Sequence, residues 1–329
     1  MDSIKEIKCK VCGSNRANEL YSNLMDDRYG CDAVVSIYEC DECGYKFTYP
    51  FISDDELPSL YENYYPRNSE LVSQIRAQNP NLTFSQRIKH YILGTDNQAQ
   101  FVVRANSKYL DVGSGSCGGA LQAKSMGCDV WTIEADPSAI KFAKEFKLNH
   151  HCGMLKDVPD NFNNFDLIAY NQVLEHVTNP VSELLLANEL LKRNGKIFIS
   201  VPNSNSLFAK ISGRNWINWH VPFHISHFSK DVLRRILNDS GYQIEKFYTK
   251  TPNLWLKIQI LRFLNLDKAL IWDRQRINKS DLPKRIFPSI KRRIILGLIS
   301  ILVPFIARLI DIIGLGESIC VLAKKTNKT

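Results

Sequence analysis

From residue 107 onward, apolar residues gather in short continuous runs, and between the runs they recur every third or fourth position. Continuous runs read as strands buried on both faces, and the intervening periodicity reads as helices laid over them. Strands are expected near 107–112, 128–134, 150–153, 165–170, 196–201 and 242–249. Helices are expected over 137–148, with Asp136 and Pro137 at its start, and over 229–240, capped by Ser229 and closed by Gly241. That alternation predicts an α/β fold, a doubly wound parallel sheet. Residues 1–50 are loop-rich, and 51–106 form an apolar and aromatic connector with helical stretches.

The stretch Tyr109 to Lys141 carries the first chemistry. Lys108 to Val112 read as a strand containing Asp111, and Gly113 and Gly115 allow a sharp turn with no side chain between backbone and ligand. Glu134 ends the next strand, 19 residues beyond Gly115, where a carboxylate can accept both hydroxyls of a ribose. Gly113, Gly115 and Gly118 match G-x-G-x-x-G, which suits a nicotinamide or flavin dinucleotide. The same residues read equally as D-x-G-x-G.

That second reading resembles the first motif of class I S-adenosylmethionine-dependent methyltransferases. FDLIAYNQVLEHVTNP (165–180) and LLKRNGKIFISVPN (190–203) are similar to that family's fourth strand, helix and fifth strand, and the resemblance covers 107–248. It implies a seven-stranded Rossmann-like sheet and roles for particular residues. Asp111 and the Gly113 to Gly115 backbone would hold the amino-acid end of S-adenosylmethionine, Glu134 its ribose, the backbone near Met154 and Leu155 its adenine edge, and Asn171 its methionine moiety. Two departures stand out: Cys117 replaces the family's third glycine, a turn that Gly118 and Gly119 are expected to relieve, and no acid follows Gly153. The family fold also implies a last strand at 317–324, antiparallel beside the sixth, which makes 250–316 a helical insertion and 317–329 the last strand and tail.

Cys9 and Cys12, with Cys40 and Cys43, form two C-x-x-C knuckles, each followed by a glycine that aims backbone amides at the thiolates. Four thiolates without an open position suit a structural Zn2+, with iron the alternative soft metal. Cys31, Cys117, Cys128, Cys152 and Cys320 are unpaired by spacing and read as small buried residues. The amino-terminal MDSIKEIKCK has no apolar signal core, so a cytoplasmic chain is expected. The formal charge of +8 invites nucleic acid, but residues 251–329 hold 15 Lys and Arg against 5 Asp and Glu. The remainder is slightly acidic, and the ribbon is acid-rich, which argues against nucleic acid as its partner. The ribbon and its continuation to Pro66 resemble those of bacterial methyltransferases acting on sugars, polysaccharides or secondary metabolites. In that setting Tyr64 and Tyr65 either cover the cofactor or pack the ribbon down.

Within the insertion, a basic shoulder (Lys284, Arg285, Lys291, Arg292, Arg293) precedes apolar residues from Ile294 to Ala307, and Arg308 and Asp311 then break the run. A spanning helix needs about 20 apolar residues. The expectation is therefore a helix lying at an anionic membrane surface, for which Ile299 and Leu302 are the apolar probes; internal packing or a dimer contact is the competing reading.

Methyl transfer asks for in-line positioning and a deprotonated acceptor. NWHVPFHISHFS (218–229) resembles W-x-x-P-x-H-x-x-x-F-S of related methyltransferases, which makes His224 the first candidate base, followed by His227 and His176. Some O-methyltransferases use E-x-x-E-H to bind a divalent ion; here an amide, assigned to Asn171, stands for the first acid, which argues against that variant. The expected activity is O- or C-methylation of a sugar, glycan or related metabolite, free or lipid-linked. An RNA-modifying enzyme and a non-catalytic membrane-associated scaffold are the competing classes.

Overall fold

A computed structural model describes residues 7–64, 84–96, 99, 102–264 and 290–326. Seven strands form the main sheet: β4 (Lys108–Val112), β5 (Asp129–Glu134), β6 (Asn149–Cys152), β7 (Phe165–Asn171), β8 (Leu191–Pro202), β10 (Tyr242–Lys250) and β11 (Ser318–Lys325). Their order is β10-β11-β8-β7-β4-β5-β6, and β11 runs antiparallel between β8 and β10. Each central strand buries both faces. Leu110, Ile168, Ile197 and Ile319 are fully covered on one side, while Tyr109, Ala169, Phe198 and Cys320 fill the other. The order reverses between β4 and β7, and in open α/β sheets the ligand crevice opens at that reversal, beyond the strands' carboxyl ends.

Helices α3 (Gly118–Ser125), α4 (Ile140–Glu145), α5 (Pro180–Leu190) and α7 (Lys230–Asp239) flank the sheet. Ser229 caps α7 by accepting the Val232 amide, and Gly241, at φ +79°, closes it. The helix expected over 137–148 is shorter: a 3-10 turn at Pro137–Ala139 leads into α4, and Lys147 at φ +51° ends it. The fifth strand is longer than expected and begins at Leu191.

The amino-terminal unit is an antiparallel sheet of β1 (Ala17–Met25), β2 (Val34–Cys40) and β3 (Lys46–Tyr49), followed by α1 (Leu57–Tyr64). Its fourth strand comes from far along the chain: β9 (Ser226–His227) pairs with Lys46 and Phe47. The ribbon is thus completed by the segment that carries the candidate base.

In the insertion, α8 (Asn253–Phe263) packs on α9 (Ile290–Ile312) through Leu256, Val303, Ala307 and Ile310. Ile299 packs against this cluster, so the expectation that it probes an outer surface is corrected. Lys284, Arg285 and Tyr65 lie outside the described residues.

Candidate active site

Beyond β4 the backbone turns through Gly113 (φ +65°) and Gly115 (φ +51°). A Cβ on Gly113 would sit 2.5 Å from Val173 Cγ2, so glycine is needed for the loop after β7 to close against this turn. Cys117 takes the third left-handed position itself, at φ +64°, fully buried as the residue before α3. Gly118 and Gly119 are simply helical, so the expected relief by them is corrected; the cysteine carries a strain of about 1 kcal/mol.

Glu134 reaches back into this turn. One carboxylate oxygen accepts the Gly115 amide at 2.8 Å and the other accepts the Asp136 amide at 3.1 Å, with the side chain almost covered. Asp111 is buried beneath the loop, where Tyr109 donates to it at 3.4 Å. Burial pushes its carboxyl up to about 7. A cationic ligand group arriving here would reverse that penalty. Asn171, at the end of β7, lies close enough to ease Asp111's ionisation but makes no bond of standard geometry. Beyond β6, Met154 precedes a 3-10 turn, Leu155–Asp157, in which Leu155 is buried. Asp111, Gly113, Gly115, Glu134 and Asn171 thus gather at the carboxyl edge around the reversal point.

A second group joins the loop after β7 to the segment just before β9. Glu175, His176 and His224 each bring a ligand atom within 4.8 Å of the others. His224 donates from Nδ1 to the Asn218 carbonyl at 2.8 Å, which leaves Nε2 as the lone-pair nitrogen, 3.9 Å from Glu175 Oε1. Glu175 is 1% exposed, and neither carboxylate oxygen has a hydrogen-bond partner among the described residues. Burial drives Glu175 well above the carboxylate range and His224 well below the histidine range, so His224 is unprotonated at neutral pH. His220 contributes its Nδ1 at 3.4 Å from His224 Nε2, and Tyr29 of the ribbon packs edge-on against the His220 ring. His176 Nδ1 lies 2.9 Å from the Phe223 carbonyl and 2.6 Å from the Tyr61 hydroxyl of α1.

His227 sits elsewhere. It lies in β9, with Nε2 3.1 Å from Thr48 Oγ1 and the ring against Trp219, so it is a sheet residue facing the ribbon. Thr48 also donates to the His224 carbonyl at 2.6 Å, and its amide donates to the Ile225 carbonyl. Pattern reading could not find Thr48, Tyr29 or Tyr61, because each acts through a contact distant in sequence, nor Asn218, which acts through its backbone carbonyl. Counting back three residues from Glu175 puts Gln172, rather than Asn171, at the first position of E-x-x-E-H; its amide donates to Asp96 and to Ser318. Tyr64 lines a cleft of about 470 Å³ with Phe51, Leu60 and Pro222, between ribbon and main domain.

The four knuckle cysteines converge within 4.8 Å of one another. Their turns are alike: Gly13 donates to the Cys9 carbonyl and Gly44 to the Cys40 carbonyl, both glycines at positive φ. Val11 offers its amide to Cys9 Sγ at 3.4 Å. Burial pushes the Cys9 thiol up to about 11, a penalty that a divalent cation would cancel. The donor set fits a closed tetrathiolate site.

Residues 84–246 match a family model described as a methyltransferase domain. Over 144 residues the chain is 30% identical to an uncharacterized protein of Methanocaldococcus jannaschii, covering 43% of this chain and 63% of that protein. Over 158 residues it is 29% identical to the ubiquinone biosynthesis O-methyltransferase of Xanthomonas axonopodis, covering 43% of this chain and 64% of that protein. The chain thus spans less than two thirds of the length of these curated relatives. A solved S-adenosylmethionine-dependent methyltransferase from Archaeoglobus fulgidus covers 78% of this chain and 98% of its own at 19% identity, with a TM-score of 0.43. The sheet order, with its antiparallel last strand between β8 and β10, is that of the Rossmann-like methyltransferase fold, and the methyltransferase-domain match lies on that sheet.

Proposed function

We propose that this class I domain transfers the methyl group of S-adenosylmethionine to a hydroxyl oxygen of a small-molecule acceptor, with His224 as general base. The carrying observation is the tautomer of His224. Its Nδ1–H is committed to the Asn218 carbonyl, and Nε2, the remaining lone-pair nitrogen, lies 3.9 Å from Glu175 Oε1 and 3.4 Å from His220 Nδ1. In the transfer, the acceptor oxygen attacks the methyl carbon, the carbon–sulfur bond breaks towards sulfur, and the hydroxyl proton passes to Nε2. The ubiquinone-pathway relatives support oxygen as the methylated atom; the ribbon's resemblance supports a sugar or glycan acceptor, free or lipid-linked, as the finer assignment. Asp111, the glycine turn, Glu134, Asn171 and the backbone of Met154 and Leu155 bind the cofactor in this reading, and a structural Zn2+ sits on Cys9, Cys12, Cys40 and Cys43.

A second reading is favoured by the convergence of Glu175, His176 and His224. These residues could hold a divalent ion, which would acidify the acceptor hydroxyl. The test is a panel of phenolic and glycosidic hydroxyl acceptors with S-adenosylhomocysteine release as the readout. His224→Ala is expected to reduce turnover about a hundredfold or more with cofactor affinity intact. Unchanged turnover would remove His224, and loss on chelation with recovery on adding Mg2+ would favour the metal reading.

A further inference from the structure

Helix α9 is apolar on two opposite faces, and only one of them is covered. The inner face, Val303, Ala307 and Ile310, is buried against α8. On the outer face Leu298, Ile301, Leu302, Phe305, Leu309 and Ile312 are each more than half exposed. Their spacing of three and four residues makes a single stripe roughly 21 Å long. The two charges that interrupt the run in sequence do not interrupt this stripe. Arg308 and Asp311 pair at 3.1 Å with both side chains nearly covered, and the Arg308 guanidinium donates to the Tyr91 and Thr251 carbonyls. No exposed residue between Leu298 and Ile313 is charged.

We propose that α9 lies in the plane of an anionic membrane surface, with this stripe among the acyl chains. Charge decides between the possible occupants. Residues 251–329 carry 15 Lys and Arg against 5 Asp and Glu, which repels a second copy and attracts anionic lipid. A crossing is ruled out among the described residues, where no helix is long and apolar enough to span a bilayer. It is also ruled out by topology, since the chain leaves α9 and enters β11, inside the sheet beside β8. A helix lying flat meets both constraints. The proposal does not depend on the acceptor assigned above.

The test is co-sedimentation of the full chain with phosphatidylglycerol-containing vesicles and with pure phosphatidylcholine vesicles, at low salt and at about 0.5 M salt. The expected result is binding at least about tenfold stronger to the anionic vesicles, with a salt-resistant fraction from the apolar stripe. Ile301→Asp with Phe305→Asp should lower binding about tenfold or more while leaving S-adenosylmethionine affinity unchanged. Because that pair could weaken the fold, a conservative Phe305→Trp is the second probe, with fluorescence expected to be quenched by brominated lipid. Absence of sedimentation at low salt, or of quenching, would overturn the proposal. So would a dimer in light scattering that the Asp variants dissociate, which would assign the face to a second copy.

Discussion

Removing the Glu134 carboxylate tests the cofactor site where its geometry is best defined. Its two oxygens accept the Gly115 and Asp136 amides at 2.8 and 3.1 Å, so it shapes the glycine turn, and in the proposed reading its remaining lone pairs accept the ribose hydroxyls. Hydrogen bonds to a charged group contribute about 1.5–3 kcal/mol each. Glu134→Ala therefore removes about 3 kcal/mol or more of turn stabilisation in addition to the ribose contacts. Cofactor affinity in calorimetry is expected to fall at least about thirtyfold, since 1.4 kcal/mol corresponds to tenfold. Glu134→Gln separates the two roles. Its single carbonyl can accept one amide, and its NH2 opposes the other donor, so an intermediate loss is expected. Affinity within twofold of wild type for both variants would remove Glu134 from the site and refute the assignment of this turn to the cofactor.

The four-cysteine site should yield about one zinc per chain by mass spectrometry of metals. Cys43→Ser should release it and lower the melting temperature, and protein that never carries zinc would count against the ribbon. Thr48→Val deletes the bonds to the His224 carbonyl and His227 and is expected to cost about 1–3 kcal/mol in denaturant unfolding, with cofactor affinity unchanged; a neutral effect would uncouple ribbon from base. Cys117→Gly removes left-handed strain but also a buried thiol, so a stability change within about 1 kcal/mol is expected, and a large loss would show that the thiol's packing dominates. Burial, and then the Lys46 charge, lower His227 from 6.5 to about 3. The unfolded chain binds the proton more readily, so this contribution is fully present above pH 6.5 and is lost as pH falls towards 3. Between pH 7 and 5 it amounts to about 2 kcal/mol. His227→Gln should flatten that slope in unfolding titrations, and an unchanged slope would contradict it.

Strand positions, the glycine turn, the acid that closes β5 and the cysteine knuckles were all legible in the sequence, because each is written locally. A strand buried on both faces needs a continuous apolar run, a left-handed turn needs small residues, and a tetrathiolate needs two close cysteine pairs. Three features were settled only in three dimensions. Ser226 and His227 carry no recognisable strand pattern, yet they complete the ribbon, because pairing with Lys46 and Phe47 depends on register between segments about 180 residues apart. The ring orientation of His224 is set by which nitrogen meets the Asn218 carbonyl, a loop contact that no spacing rule reports. Arg308 and Asp311 read as breaks in an apolar run, but helical geometry turns both onto the packed side, where each neutralises the other and backbone carbonyls receive the guanidinium. Local periodicity fixes which residues form an element; which face that element presents is decided by what packs against it.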